Sequence, residues 1–409
     1  MRKALSLILV LALFAALILS GCAQNNPPAS QNSDPVNNNT EDVKEIVIGA
    51  ITEGTGTNAS WGLPRAEALR IVEYQMQRDG GFEVNGQKYR FVFSYGENRG
   101  EATEAVSIAK RLLETEKVKF LFDGGNSTPS LPVCELLKDR EVLSIGVSTI
   151  QQSYVGKEGY PYTFNAWKTD GGVNGIAAKI APVIKEKLPE AKTVAFLFMN
   201  NSQTEMILPF YKDACEANGM QVVADERYPD GTVDFYSVLT EIQKEQPDIL
   251  FIGNNDEECK SILKQAIELG FKNFASCRVS TYIPEESALP ADGHFFGVVD
   301  RDFSDESERD NPGVQEYIAD YATVIGGTPD YSLLNRAVAA YEPMYALAAA
   351  MQKAGSVDDV PAIAEALKGM AYDGKIWKIA FDENGQMSND YYIYCYTNGQ
   401  LEKTVVLPE

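Results

Sequence analysis

Hydrophobic and polar positions along this chain follow patterns that predict strands alternating with helices. Residues 46–51 form an almost unbroken run of apolar, mostly β-branched side chains, which is typical of a strand covered on both faces. A turn of mostly small polar residues follows at 52–62, and a helix is predicted over residues 64–77, because Pro64 suits the first turn of a helix. This strand, turn and helix predict the opening of a parallel α/β domain.

The same alternation continues through the first half of the chain. Helical periodicity places the apolar residues of 101–114 on one face. Each predicted strand is followed by a turn with polar side chains, and in parallel sheets ligands bind at the carboxyl ends of the strands, so we expect these turns to face a ligand. The predicted strands are residues 89–95, 118–122 and 142–145, the turns are 123–128 and 146–149, and a further helix is predicted over 129–138.

An irregular passage rich in Tyr and Gly, residues 153–170, interrupts this rhythm before the alternation restarts. A restart of this kind predicts two α/β lobes of similar design. The second series has predicted strands at 194–198, 221–224 and 249–253, with polar turns at 199–203 and 254–258. Toward the C-terminus, apolar helices are predicted at 332–353 and 360–369, then a strand at 377–381, and a final hairpin from 391 onward whose turn is Asn398-Gly399.

The N-terminal residues predict export rather than a folded element. Arg2 and Lys3 precede an apolar run at 4–18 that is too short for a membrane span. The run closes with Leu-Ser-Gly-Cys22, which resembles the lipobox of bacterial lipoproteins; the alternative is an ordinary secretory signal with a chance Cys. We predict a signal peptide at 1–21, acylation of Cys22 and a flexible tether at 22–44, so that lipid holds an extracytoplasmic protein to a bacterial membrane.

The charge and the cysteine content exclude several classes of partner and site. The net charge is −22, and it becomes −24 without the two cations Arg2 and Lys3, which argues against binding to nucleic acid or to an anionic membrane face. Five cysteines remain besides Cys22, an odd number without a C-x-x-C pair, so neither a zinc site nor a disulfide framework is indicated. We interpret each as a small buried side chain, and Cys259 with Cys277 is the pair considered for a disulfide.

Residues for hydrolytic or metal chemistry are scarce. The chain has a single histidine, His294, and contains neither H-E-x-x-H nor G-x-S-x-G, so we predict no enzyme activity and no metal site. Residues 54–59 match the G-x-G-x-x-G/A fingerprint of dinucleotide sites, but only the loosely placed Glu97 offers the acidic group that the ribose needs. The alternative is that these glycines let the backbone turn sharply beside a small ligand. We predict no cofactor.

Several segments, in this order, resemble the leucine/isoleucine/valine-binding family of periplasmic binding proteins. They are residues 46–62, 124–128, 148–149, 160–170 and 374–385, and the resemblance covers the chain from about residue 45 onward. It implies an α/β fold of two Rossmann-like lobes with parallel-rich sheets, joined by three hinge strands as in the type I periplasmic binding protein clamshell. Lobe 1 would comprise residues 45–167 and 301–373, and lobe 2 would comprise residues 168–300 and 374–409.

The resemblance also implies a ligand site between the lobes. Trp61 would pack against the ligand, and Asp170 falls where family members place an acidic residue near the ligand ammonium. The residues that would bind a carboxylate through hydroxyls and backbone N–H groups are Asn126, Ser127, Ser148 and Thr149. Three residues of lobe 2 stand where amino-acid binders show Tyr, Tyr and Glu, and they are Gln203, Asn255 and Arg278. With an acidic group lost there, Arg278 favours an anionic or hydrogen-bonding group on the ligand.

The function implied by the resemblance is transport. The protein would deliver an amino acid, of branched-chain type, or a related small organic acid to an ABC-type uptake transporter, whose permease and ATPase subunits are the expected partners. The alternative is a ligand-sensing module of the same fold that signals to a membrane receptor.

Overall fold

The computed structural model describes residues 43–406 apart from residues 57, 174, 254–255, 278–288 and 300. The chain from Asp42 to Glu409 forms one compact unit. Cys22, the predicted signal peptide and most of the predicted tether lie outside the described residues, as do Asn255 and Arg278. None of the helices in the described part of the chain combines the length and the hydropathy needed to cross a membrane.

The first sheet has six strands, which are β1 Lys44–Thr52, β2 Phe82–Val84, β3 Gln87–Glu97, β4 Phe120–Asp123, β5 Leu143–Gly146 and β6 Thr163–Asn165. Their order across the sheet is β2-β3-β1-β4-β5-β6. All neighbours are parallel except β2, which forms an antiparallel hairpin with β3. The sheet therefore has the parallel-rich construction that the alternating pattern predicts.

The second sheet has seven strands, which are β7 Thr193–Met199, β8 Gln221–Tyr228, β9 Ile249–Ile252, β10 Asn273–Ser276, β11 His294–Val299, β14 Tyr391–Thr397 and β15 Gln400–Val406. Their order is β15-β14-β11-β10-β9-β7-β8, with β14 and β15 antiparallel and the rest parallel. A small antiparallel pair, β12 Ala371–Tyr372 and β13 Ile379–Ala380, stands apart. The predicted fold class, two Rossmann-like lobes, is confirmed.

Helices cover the faces of both sheets. They are α1 Ala59–Arg78, α2 Ala102–Lys110, α3 Ser127–Leu136, α4 Ile176–Lys187, α5 Ser202–Ala217, α6 Tyr236–Lys244, α7 Asp256–Glu268, α8 Glu306–Arg309, α9 Pro312–Val324, α10 Leu334–Ala354 and α11 Val360–Leu367. A π-helical turn, Arg111–Thr115, continues α2, and 3-10 turns occur at Thr149–Ser153 and Tyr331–Leu333. The largest apolar core joins the first sheet to α1, α10 and α11, while separate cores lie on the two faces of the second sheet.

Helix α1 begins at Ala59, five residues before the predicted start, so Pro64 lies inside the helix. Proline has no N–H, and the carbonyl of Ser60 therefore lacks its usual helical donor. The guanidinium of Arg336, on α10, takes that place, because its Nη1 donates to the Ser60 oxygen at 2.9 Å. A side chain from a distant helix thus completes the first turns of α1.

The apolar cores show where the chain passes between the lobes. Trp167 and Phe303 pack in the core of the first sheet, and the crossings near residues 167 and 301 stay predictions. The predicted return to lobe 2 at residue 374 is too early, because Trp377 and Phe381 are buried in the same lobe 1 core. The chain rejoins the second sheet at Tyr391. The third crossing therefore lies between residues 381 and 391.

The three crossing segments contact one another. Gln386 Nε2 donates to the carbonyl of Trp167 at 2.7 Å, which links the first and third crossings. Arg301 Nη1 donates to the hydroxyl of Tyr392 at 2.6 Å, which links the second and third. The segments therefore run side by side as a hinge.

Two smaller predictions are settled by the second sheet. The predicted Asn398-Gly399 hairpin is confirmed, and both residues have the positive φ values, 52° and 73°, that such a two-residue turn needs. The disulfide considered between Cys259 and Cys277 is wrong, because both are buried thiols that form no disulfide with each other. Cys134, Cys215 and Cys395 are also buried and free, as expected for small core residues.

Candidate functional site

A cavity of about 300 Å³ lies where the carboxyl ends of strands from the two lobes face each other. Lobe 1 contributes the turns after β1, β4 and β5 and the first crossing segment, and lobe 2 contributes the turns after β7 and β8. The lining residues are Asn58, Trp61, Arg65, Asn126, Ser127, Thr128, Val147, Ser148, Thr149, Trp167, Met199, Asn200, Asn201, Gln203 and Asp230. The expectation that polar turns at the strand ends share one space agrees with this arrangement.

The structure brings together six of the nine predicted ligand residues, which are Trp61, Asn126, Ser127, Ser148, Thr149 and Gln203. Asp170 is not among the residues that line the cavity. Asn255 and Arg278 lie outside the described residues.

A buried hydrogen-bond network fixes the turn after β5. The Ser148 N–H and hydroxyl both donate to Gln151 Oε1, at 2.9 and 3.0 Å, and this capping box starts the 3-10 turn. Gln151 Nε2 donates in turn to Asp123 Oδ2 at 3.0 Å. Since the Ser148 hydroxyl proton is already used, Ser148 shapes the wall and can offer a ligand its oxygen only as an acceptor.

The start of α3 is held in a similar way. The carboxylate of Glu53 accepts the N–H of Asn126 at 2.6 Å, and the hydroxyl of Ser127 accepts the N–H of Ile150 at 3.3 Å. Burial raises the pKa of Glu53, and burial also raises the pKa of Asp123 to about 6. Two buried carboxyl groups with raised pKa values therefore lie behind the lobe 1 wall, and each accepts a backbone N–H.

Two tryptophans, Trp61 and Trp167, form the aromatic part of the wall, and cationic side chains lie against their rings. Trp61 and Trp167 contact each other edge to face, with ring centroids 6.0 Å apart. The Arg336 guanidinium lies 3.7 Å from the centroid of the Trp61 ring, and Lys168 Nζ lies 4.3 Å from that of Trp167. These cation–π contacts hold both indoles in place.

Arg65 approaches both indoles from α1. Its guanidinium carbon is 5.9 Å from the Trp61 centroid and 5.5 Å from the Trp167 centroid, and its Nη1 donates to the Gly124 carbonyl at 3.0 Å. Only 2% of the residue is exposed. Burial lowers the pKa of Arg65 to about 10, which still leaves the group charged near neutral pH.

The lobe 2 wall is made of the ends of β7 and β8. Asn201 caps α5 by accepting the Thr204 N–H at 2.9 Å. Gln203, the second residue of the same helix, donates from Nε2 to the Thr149 hydroxyl at 3.3 Å and so joins the two lobes across the cavity. Asp230, in the turn after β8, is exposed and is the acidic residue among those that line the cavity.

Asp170 has a structural position at the first crossing. Its carboxylate accepts the Tyr211 hydroxyl at 2.6 Å, and its backbone N–H donates to Gln152 Oε1 at 3.0 Å. Because Tyr211 lies on α5, this network ties the crossing segment to the helix that carries Gln203. The role of Asp170 beside a ligand ammonium stays a prediction.

The alternatives of an enzyme and a dinucleotide site find little support in the geometry. His294 is half-buried on β11, where its Nδ1 lies 3.2 Å from Asn273 Oδ1, and it is not a cavity residue. Glu97 binds the glycine-rich turn itself, because its carboxylate accepts the Gly54 N–H at 2.9 Å and the Thr55 N–H at 3.3 Å. The Glu97 carboxylate thus already accepts hydrogen bonds from the N–H groups that would otherwise bind a phosphate.

Nine lining residues were not among the predicted ligand residues; six of them lie in the predicted polar turns, and the other three, Arg65, Asp230 and Trp167, lie outside them. Arg65 had a usable signal, since it lies one helical turn before Leu69 on the apolar face of α1, where a charged residue is unusual. Asp230 was missed because β8 runs to Tyr228, four residues past its predicted end, which moves the turn. Trp167 belongs to the crossing segment that was recognised, but nothing in its spacing indicated a cavity.

The fold and the cavity define a class, the two-lobed α/β proteins with a polar cavity between their lobes. A family model described as periplasmic binding protein matches residues 45–400, and the chain belongs to this family. The resemblance found in the sequence is therefore confirmed. Members of this family are extracytoplasmic proteins, not enzymes, that bind small molecules and work with ABC transporter components.

Individual relatives are distant but similar over most of their length. The chain is 24% identical over 386 residues to the leucine-, isoleucine-, valine-, threonine- and alanine-binding protein of Pseudomonas aeruginosa, which covers 93% of this chain and 94% of the relative. The fold of this chain is similar to that of a leucine-binding protein from Thermotoga maritima, with a TM-score of 0.70 and 22% identity. The match covers 89% of this chain and 99% of the other. The fold is also similar to that of a solute-binding protein of an ABC transporter from R. palustris in complex with 4-hydroxybenzoate, with a TM-score of 0.69, 18% identity and coverage of 89% and 98%.

Proposed function

We propose that this chain is a lipid-anchored solute-binding protein that delivers an amino acid or a related small organic acid to an ABC-type uptake transporter. The observation that carries the proposal is the cavity walled by both lobes, with Gln203 of lobe 2 donating to Thr149 of lobe 1 across it. A ligand in this position adds contacts to both walls at once, and its binding favours the closed arrangement of the lobes. A permease can then distinguish the loaded protein from the empty one.

Individual roles follow from the positions of the side chains. Trp61 packs against the apolar part of the ligand, while Asn126, Ser127 and Thr149 supply polar groups at the lobe 1 end of the cavity. Gln203 contributes from lobe 2. The relatives support both ligand classes, because one is named for leucine, isoleucine, valine, threonine and alanine, and another was solved with 4-hydroxybenzoate.

Lipid anchoring through Cys22 is part of the proposal and rests on the sequence at the N-terminus. The expected modification places the chain at a membrane surface, beside the permease and ATPase subunits that it serves. Mass spectrometry of the N-terminal peptide tests this step. A diacylglyceryl group on Cys22 supports it, and an unmodified chain that begins at another residue contradicts it.

A thermal-shift screen tests the ligand-binding function. The purified chain is heated with single aliphatic amino acids, aromatic amino acids and organic acids. A ligand at 100 times its dissociation constant adds about 2.7 kcal/mol to the free energy of unfolding, which is a readily measured shift. Transport is then tested by uptake of the radiolabelled hit in cells with and without the gene. Uptake that does not depend on the gene would contradict a role in transport.

A further inference from the structure

Arg65 stands out among the charged groups of the cavity. It lines the cavity but is only 2% exposed, and within the described residues its Nε has no hydrogen-bond partner. A buried guanidinium N–H without an acceptor is costly, so such groups normally find one. Because Arg65 also lines the cavity, a ligand bound there can supply an acceptor to its guanidinium.

The surroundings of Arg65 favour an anionic acceptor. Its Nη1 is held by the carbonyls of Gly124 and Gly125, at 3.0 and 3.5 Å, which orients the guanidinium. Among the described residues no carboxylate forms an ion pair with the Arg65 guanidinium. The carboxyl groups of Glu53 and Asp123 raise the pKa of Arg65 only through longer-range electrostatic attraction. A guanidinium fixed by neutral carbonyls and lacking a close counter-ion is a ready site for a carboxylate.

A partner for a ligand ammonium is less well provided. Asp170, the residue expected for that role, accepts the Tyr211 hydroxyl and is not part of the cavity wall. The described acidic residue that lines the cavity is Asp230, which is exposed. An exposed carboxylate contributes little to holding a cation, since water screens the pair.

We infer that the ligand is a small organic acid without an ammonium group, and that Arg65 binds its carboxylate. This inference rests on the proposed function and names the substrate class of the same cavity. Trp61 and Trp167, which flank Arg65, receive the hydrocarbon or aromatic part of the acid. The acid enters as its carboxylate, so no proton needs to be transferred on binding.

Matched probes with one carbon skeleton test the substrate class in the unmodified chain. The first set is 4-methylpentanoate, L-leucine and 4-methylpentanamide, and the second is 3-phenylpropanoate, L-phenylalanine and 3-phenylpropanamide. Isothermal titration calorimetry at neutral pH is expected to show that the acid binds at least about 10-fold more tightly than the other two members of its set. An amino acid that binds more tightly than its acid would overturn the inference and still support the proposed function.

The variant Arg65→Gln tests the assigned residue. We expect it to weaken binding of the acid by about 10- to 100-fold and to leave the amide unchanged, because a charged hydrogen bond is lost only with the acid. Arg336→Gln is the matched control, since Arg336 is also a buried guanidinium on Trp61 but is not a cavity residue. It is expected to keep the preference for acid over amide.

The outcomes separate the two levels of the proposal. If Arg65→Gln keeps the full preference for acid over amide, Arg65 is not the carboxylate partner. If the variant fails to fold, as judged by its circular dichroism, the acid-to-amide ratio of the unmodified chain still decides the substrate class. If none of the six probes binds the unmodified chain, and the wider screen is also silent, the proposed function fails together with this inference.

Discussion

The two walls of the cavity differ in how firmly the protein itself holds them. On the lobe 1 side, Ser127, Ser148 and Thr149 are buried, Gln151 accepts the Ser148 N–H, and Glu53 accepts the N–H of Asn126. On the lobe 2 side, Asn200 and Asp230 are exposed, and one hydrogen bond from Gln203 spans the cavity. A wall that is already ordered loses little entropy when a ligand binds, whereas exposed side chains must still be ordered. Lobe 1 is therefore expected to supply most of the binding affinity. Lobe 2 is expected to contribute the side chains that become ordered when a particular ligand binds.

The largest expected effect is on the stability of the lobe 1 wall. Gln151→Ala removes two acceptor contacts to Ser148 and one donor to the buried Asp123. We expect the free energy of unfolding to fall by about 2–4 kcal/mol, because buried polar groups are left unpaired. Urea denaturation measures it. The control is Gln203→Ala on lobe 2, which loses one half-buried hydrogen bond and should cost less than about 1 kcal/mol. Equal losses would mean that the walls are equally fixed.

The next effect is that the free energy of unfolding depends on pH through Asp123 in lobe 1. Burial raises the pKa of Asp123 to about 6, above the 3.8 of an ordinary aspartate. The folded state therefore binds the Asp123 proton more tightly than the unfolded state does. The resulting contribution to the free energy of unfolding is fully present below about pH 4 and is lost as the pH rises through about 6. The loss amounts to about 2–3 kcal/mol.

The variant Asp123→Asn checks this assignment. We expect it to be less stable than the unmodified chain at low pH, because the amide cannot accept both the Gly125 and the Gln151 N–H groups. Its free energy of unfolding should, however, change less between pH 4 and pH 6. Urea denaturation at several pH values gives both quantities. An unchanged slope would assign the titration to another group.

A third effect concerns ligand affinity. Thr149→Ala is expected to weaken binding of the hit from the thermal-shift screen by about 1–3 kcal/mol, because a polar partner is lost inside the closed cavity. Thr128→Ala provides the matched control, since Thr128 also lines the cavity but is exposed, and its change should stay within about 0.5 kcal/mol. Calorimetric titration gives both values. Equal affinities for the two variants would show that burial does not distinguish these positions.

The smallest effect is expected on lobe 2. Asp230→Asn removes an exposed negative charge from the cavity rim and should leave the free energy of unfolding within about 0.5 kcal/mol. Binding of 4-methylpentanoate should become about twofold to fivefold tighter, since a weak repulsion is removed, and added salt should reduce the gain. Weaker binding in the variant would instead mark Asp230 as an attractive partner and count against an anionic ligand.

Much of the fold could be predicted from local patterns. Apolar runs such as residues 46–51, in which all but Val47 are buried, mark strands because a strand covered on both faces tolerates few polar side chains. The Asn398-Gly399 turn was predicted because few other residues adopt positive φ at both positions. By contrast, β10 and β11 were not predicted, since the place of each is set by its neighbours in the sheet. The third crossing was misplaced because the burial of Trp377 in lobe 1 depends on distant packing.

The α/β construction, the two lobes, the family and the turns that meet at the cavity could be predicted from the sequence alone, since short local patterns and their order along the chain indicate them. The tertiary structure decided which side chains face the cavity and which are held by others. Asp170 binds Tyr211 and Ser148 donates to Gln151, whereas Arg65, which sequence reasoning passed over, lines the cavity with Nε unpaired among the described residues. Hydrogen-bond partners depend on distances of a few ångströms between remote segments, and only packing of the whole chain sets those distances.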